Sequence, residues 1–124
     1  MNLEHIAISV NHKNEIKDFY IDILGMEHVR SFVLNQELVN DIFGLHTDIS
    51  VFLLEKGDVT LEIFVAKQDQ NKRVNHICFS VQNREELINK VQQKSYELIR
   101  IKRATHDLIF VKDKSGNIFE IKNN

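Results

Sequence analysis

Proline and tryptophan are absent from this 124-residue chain, and cysteine occurs once. A lone cysteine excludes an intramolecular disulfide and suits a reducing compartment. With no proline and no low-complexity tract, nothing resembles a proline-rich linker, and the length fits one domain, residues 1–124. Neither sign of charge dominates. Sixteen basic and 18 acidic side chains leave a net charge of −2, which excludes the electrostatic footprint of a nucleic-acid or membrane-surface binder. No apolar run approaches the length of a membrane span. The opening Met-Asn-Leu-Glu-His has neither the basic nor the apolar region of a secretory signal. The expectation is a cytoplasmic protein that takes a small-molecule substrate, with no nucleic-acid or membrane partner.

What the chain does have is a phrase used twice. His5-Ile6-Ala7-Ile8-Ser9-Val10 returns as His76-Ile77-Cys78-Phe79-Ser80-Val81. Each copy alternates like a half-buried strand and starts on a histidine. Each half then closes on a strand holding one glutamate, Glu62 in the first and Glu120 in the second. The histidines are 71 residues apart and the glutamates 58, a difference that deletion of one loop from the second copy explains.

Between these anchors both halves read as βαβββ. In the first, a strand over 3–10 precedes Ile16, Phe19, Tyr20, Ile23 and Leu24, spaced as one face of an amphipathic α-helix. Asn11 or Asn14 is the candidate N-cap, and Gly25 suits a left-handed C-terminal cap. Strands are expected near 27–34, 49–55 and 59–66. Asn35–His46, with Leu38, Val39, Ile42, Phe43 and Leu45, reads as a short helix or ordered flap. The second half has a strand over 74–81 and a helix capped by Asn83 with Glu86 three residues on. Leu87, Ile88 and Val91 form its buried face, and strands follow near 96–103, 106–112 and 117–122. Ser115-Gly116 is the last turn. Module 1 covers about 1–66, a polar linker Lys67–Arg73, and module 2 about 74–124.

Side chains alternate faces along a strand. Ile6, Ile8 and Val10 therefore oppose His5, Ala7 and Ser9, just as Ile77, Phe79 and Val81 oppose His76, Cys78 and Ser80. The bulky set suits packing under a helix, while a ligand-type residue followed by two small ones leaves room for a cavity. Leu61 and Ile63 oppose Glu62, and Phe119 and Ile121 oppose Glu120. A single strand histidine or glutamate is ordinarily a solvent-facing residue. Two of each, at equivalent positions of a repeat, make a mixed N/O metal site of His5, Glu62, His76 and Glu120. Such a site suits one divalent ion: Zn, Ni, Co, Mn or Fe(II). His12, His28, His46 and His106 read as surface residues and Cys78 as a small packing residue. Arg30, Arg73, Arg100 and Arg103 could receive an anionic substrate tail, but solvated faces are the simpler account.

These signatures are joined by Phe19-Tyr20-Ile21-Asp22-Ile23-Leu24-Gly25-Met26 and Asp113-Lys114-Ser115-Gly116-Asn117-Ile118-Phe119-Glu120-Ile121. With Val74-Asn75 leading into the second histidine phrase, the chain resembles the vicinal oxygen chelate superfamily along nearly its whole length. Lys114 and Ser115 replace the Pro and acid of that family's usual ending. The resemblance implies an α+β fold of two tandem βαβββ modules forming a curved mixed sheet around a metal cavity; sheet edges and an apolar saddle left uncovered predict a homodimer, with the modules paired within each chain or exchanged between chains. The family's four metal positions fall on His5, Glu62, His76 and Glu120. Glu62, where the epimerases carry Gln, favours a glyoxalase I-like lyase or isomerase. Such an enzyme acts on a hemithioacetal-type substrate through an enediolate, with Glu120 or Glu62 as the base. Ala7 replaces the Thr of fosfomycin resistance enzymes, and substrate selection falls to the Asn35–His46 flap. An acyl-CoA epimerase and a non-catalytic ligand-binding or metal-binding protein are the rival readings.

Overall fold

A computed structural model describes residues 3–67 and 75–124. The expected linker lies outside the described residues except for Lys67, as does Val74. Each half forms its own four-stranded sheet. The first holds β1 (Ile6–Val10), β2 (Glu27–Leu34), β3 (Ile49–Lys56) and β4 (Val59–Val65) in the order β1-β4-β3-β2. The second holds β5 (His76–Val81), β6 (Glu97–Ile101), β7 (Leu108–Lys112) and β8 (Ile118–Asn123) in the order β5-β8-β7-β6. In both, the first strand pairs parallel with the last, and the remaining ladders are antiparallel. The repeated strand order is the tandem βαβββ plan, in an α+β fold.

The expected α-helix over Ile16–Leu24 is instead a π-helix, Ile16–Ile21. Its ring is widened by i→i+5 bonds from Asp22 N–H to the Lys17 carbonyl and from Leu24 N–H to the Phe19 carbonyl, both 3.0 Å. The periodicity did find the correct residues: Ile16, Phe19, Tyr20, Ile23 and Leu24 are all buried. Tertiary contact explains the widened turn. Phe19 packs on Tyr96 and Phe119, with ring centroids 5.0 and 5.6 Å away, and Tyr20 donates its hydroxyl to Asp113 at 2.8 Å. Neither Asn11 nor Asn14 caps this helix. The N-cap is Glu15, which makes no side-chain cap bond. Its carboxylate instead accepts the Lys114 N–H at 2.6 Å, and the Asn11 N–H goes to Ser115 Oγ at 2.8 Å.

The left-handed glycine and the second helix start are as expected, while the Asn35 cap was not foreseen. Gly25 takes φ +72°, the left-handed conformation a side chain would resist. Asn83 accepts from the Glu86 N–H at 3.2 Å and starts α2 (Arg84–Gln93). Asn35 accepts from the Leu38 N–H at 3.0 Å and starts α1 (Gln36–Phe43).

One core joins the two halves. It combines Leu54, Leu61 and Ile63 of the first sheet, Ile109, Val111, Phe119 and Ile121 of the second, and the apolar faces of the π-helix and α2. A polar latch crosses the same seam. Asp113 accepts from Tyr20, from the Ser115 and Asn117 backbone and from Asn117 Nδ2, which also donates to the Ser9 carbonyl at 2.8 Å. Asp113 and Glu15 are buried, 5% and 4% exposed, and burial raises both carboxyls above the ordinary range.

A carboxyl whose folded pKa is raised binds its proton more readily in the native state than in the unfolded chain. Stability therefore falls as pH rises through the window between its ordinary and its folded pKa. Glu15→Gln keeps an oxygen for the Lys114 N–H and removes the buried charge. We expect its urea midpoint to exceed the parent's at pH 7, with the advantage gone near pH ~4, where the unfolded carboxyl also takes up its proton. A midpoint below the parent's at both pH values would contradict the burial account.

Candidate metal centre

Because both sheets turn their Leu/Ile/Val/Phe faces into one core, the opposite faces point outward. Register gives each outward face rows. Across β2, β3, β4 and β1 one row reads Arg30, Leu53, Glu62, Ala7, and the next reads Phe32, Val51, Phe64, Ser9. Across β6, β7, β8 and β5 the equivalent row reads Ile99, Phe110, Glu120, Cys78. His5 precedes β1 and His76 begins β5, each beside the glutamate of its own sheet.

The structure brings the four proposed ligands together as two pairs. His5 Nε2 lies 3.4 Å from Glu62 Oε2, and His76 Nε2 lies 3.7 Å from Glu120 Oε2. The exposures match as well: 45% and 44% for the histidine side chains, 16% and 15% for the glutamates. Two atoms each about 2.1 Å from one ion, at angles between right and tetrahedral, stand roughly 3.0–3.4 Å apart, so both pairs nearly fit a shared cation as they are. Among the described residues, however, no group of three or more His, Cys, Asp or Glu converges. Each sheet presents one His–Glu pair. Lys122 approaches Glu120 at 3.7 Å, and the His76 ring meets Phe110 edge-on at 6.0 Å.

The Asn35–His46 flap is α1, and it packs on the ligand-bearing face of the first sheet. Val39 is fully buried with Ile49 and Val51, against Phe32, Leu34, Phe64 and Ala66. Phe43 meets Phe64 edge-on at 5.7 Å. Both ends are fixed: Asp48 accepts the Gln36 N–H at 2.7 Å, and Gly44 closes the C-terminus at φ 71°. Leu38, Ile42, Phe43 and Leu45 remain 46–61% exposed. An apolar wall therefore stands beside the His5–Glu62 pair. The flap was legible in the sequence, but its seat was not, because nothing in the spacing of residues 35–46 says which sheet face receives Val39.

The remaining candidates separate cleanly. Cys78 is exposed on the ligand face, and burial, then the Glu120 charge, push its thiol up, so it is not a poised thiolate. His12, His28, His46 and His106 are exposed. Arg100 is tied to Asp107 and Glu85 at 2.8 and 3.0 Å, and Arg103 lies beyond β6. Arg73 is outside the described residues. Arg30 stands in the Glu62 row. The sequence names it as a candidate for an anionic tail, and a bulge between His28 and Arg30 shifts the register just before it.

The sequence matches the Glyoxalase/Bleomycin resistance protein/Dioxygenase superfamily over residues 2–121. No curated protein matches it. Among solved structures, a glyoxalase family protein from Enterococcus faecalis superimposes with a TM-score of 0.71 at 23% identity, covering 97% of this chain and 95% of that one. The fosfomycin resistance protein FosX of Listeria monocytogenes gives 0.77 at 18% identity, covering 100% and 93%. The trypanothione-dependent glyoxalase I of Leishmania major gives 0.76 at 19% identity, covering 99% and 86%. At these identities the likeness is one of fold.

The seat of α1 is testable. Val39→Ala removes two buried methyl groups and should cost about 1–2 kcal/mol at ~0.8 kcal/mol per buried carbon. The loss should appear as faster amide exchange confined to 36–43. Uniform acceleration across β3 and β4 would mean that α1 is part of the main core rather than a separate flap.

Proposed function

Because this chain belongs to the Glyoxalase/Bleomycin resistance protein/Dioxygenase superfamily, we propose that it is a metal-dependent, glyoxalase I-like lyase or isomerase acting on a small α-oxygenated carbonyl compound. The observation that carries the proposal is the matched pair of half-sites, His5–Glu62 and His76–Glu120, with near-equal spacing and exposure. Their outward placement supports assembly in a homodimer, where the first sheet of one chain faces the second sheet of its partner. Two neutral imidazoles and two carboxylates suit a divalent ion from the Mn, Fe, Co, Ni or Zn series. Bringing Glu62 and Glu120 together without a cation would be costly in a partly enclosed site. A bound cation would supply Lewis-acid stabilisation of negative charge developing on the substrate oxygen.

The chain's own residues do the rest. His5 and His76 orient the oxygen pair of the substrate by fixing the ligand geometry. Glu120 takes the proton from the substrate carbon and returns it to the neighbouring one, with Glu62 the alternative base. The apolar wall of α1 and Phe64 limits water and shapes the entry. The listerial FosX has been obtained complexed with Mn(II), which supports the same ion class on this fold.

Two experiments test this reading. His5→Ala and His76→Ala proteins should each bind divalent metal poorly, while a heterodimer formed from the two should regain one intact site, pairing His76 of one chain with His5 of the other. No recovery in the mixed dimer would place all four ligands within one chain. Glu120→Gln should lower turnover of a hemithioacetal by roughly 10²–10⁴-fold while metal content falls little. Full activity in that protein would move the base to Glu62.

A further inference from the structure

We infer that Arg30 determines specificity, receiving an anionic oxygen group at the far end of a substrate whose α-oxygens are held at Glu62. The inference rests on the metal-site reading above and deepens it by naming the substrate class. Register is the first support. Arg30, Leu53 and Glu62 lie side by side on β2, β3 and β4, on the same face. Two strand spacings of about 4.8 Å put the Arg30 and Glu62 backbones roughly 10 Å apart, within reach of a long side chain and a small bridging ligand.

Charge is the second support. The cations on the strands of the second ligand face are already paired, Lys112 with Glu97 at 3.6 Å and Lys122 with Glu120 at 3.7 Å. Arg30 lies over the Phe32 ring at 5.1 Å, and no carboxylate among the described residues pairs with it. The contact with Phe32 is made to an aromatic ring rather than to an oxygen acceptor, and a guanidinium fork grips a carboxylate or phosphate through two bonds. A divalent ion with two carboxylates and two imidazoles is neutral as a set, so an anionic tail would gain its attraction from Arg30.

Duplication is the third. The second module places Ile99 at the position of Arg30, in the row of Glu120. The fold therefore accepts an apolar residue there, and the charge is not a requirement of the sheet. The row between Arg30 and Glu62 is spanned by Leu53, and Phe32 and Phe64 border it. The ligand that fits has a vicinal oxygen pair at one end, a short carbon chain, and an anion at the other.

The test uses the Mn(II)-loaded dimer, with metal content read by paramagnetic resonance and ligand affinity by calorimetry. Lactate supplies the oxygen pair alone. 2-Hydroxyglutarate adds a carboxylate tail and 3-phosphoglycerate a phosphate tail. We expect one tailed ligand to bind at least about tenfold tighter than lactate, and its identity to show which anion is the natural one. Arg30→Ala should abolish that advantage, leave lactate and Mn(II) affinity unchanged, and be partly rescued by Arg30→Lys. Equal affinities for all three ligands, or an advantage that survives Arg30→Ala, would overturn the inference. Failure to take up Mn(II) would overturn the metal reading, and this inference with it.

Discussion

The constraint on which this structure depends is the burial of two sheet faces against one set of helices. Phe119 shows it most directly. It meets Phe19 and Tyr20 of the first module and stacks on Phe79 of its own sheet at 5.7 Å. Each sheet has one apolar face, and neither module alone could keep that face from water. The shared core satisfies both at once, and the Tyr20–Asp113 latch locks the two halves in register. That choice also decides where chemistry can occur, since a sheet whose apolar face is buried must carry its histidine and glutamate on the other.

From this follows the half-site. The duplication placed one His–Glu pair in each module with nearly the same geometry, and among the described residues the two pairs do not converge. The proposed four-ligand centre would therefore require a second chain. The surroundings agree with that need. The faces that bear these pairs carry partly buried apolar side chains, Phe64 and Leu53 on one and Phe110 and Leu108 on the other, beside the exposed apolar flank of α1. Wide apolar surface around partly exposed ligands is typical of a face that gains a partner or a substrate.

Much of this was legible in the sequence, for identifiable reasons. Strand alternation has a period of two, so the faces of His5, Glu62, His76 and Glu120 could be read from their neighbours without coordinates. Asn83 and Gly25 act within a few residues of themselves, so their local roles were also readable. What could not be read was set by distant contacts. The π-helix arises because Phe19 and Tyr20 must both reach the second module, and Glu15 leaves its capping duty for the Lys114 backbone 99 residues away. The seat of α1 on the ligand face depends on a fit between Val39 and Ile49/Val51 that no periodicity encodes. The bulge before Arg30 re-aims one side chain, and a simple alternation cannot place it. The separation of the ligand pairs belongs to the same class, because a repeat specifies two equivalent modules and leaves open which of their faces meet.

The most direct test of the central claim is a crystal structure of the metal-loaded protein with the ion located by its anomalous scattering. One ion is expected between His5 and Glu62 of one chain and His76 and Glu120 of the other, with a second, symmetry-related ion in the same dimer. An ion held by a single His–Glu pair with no second chain opposite, or one bound away from all four residues, would contradict it.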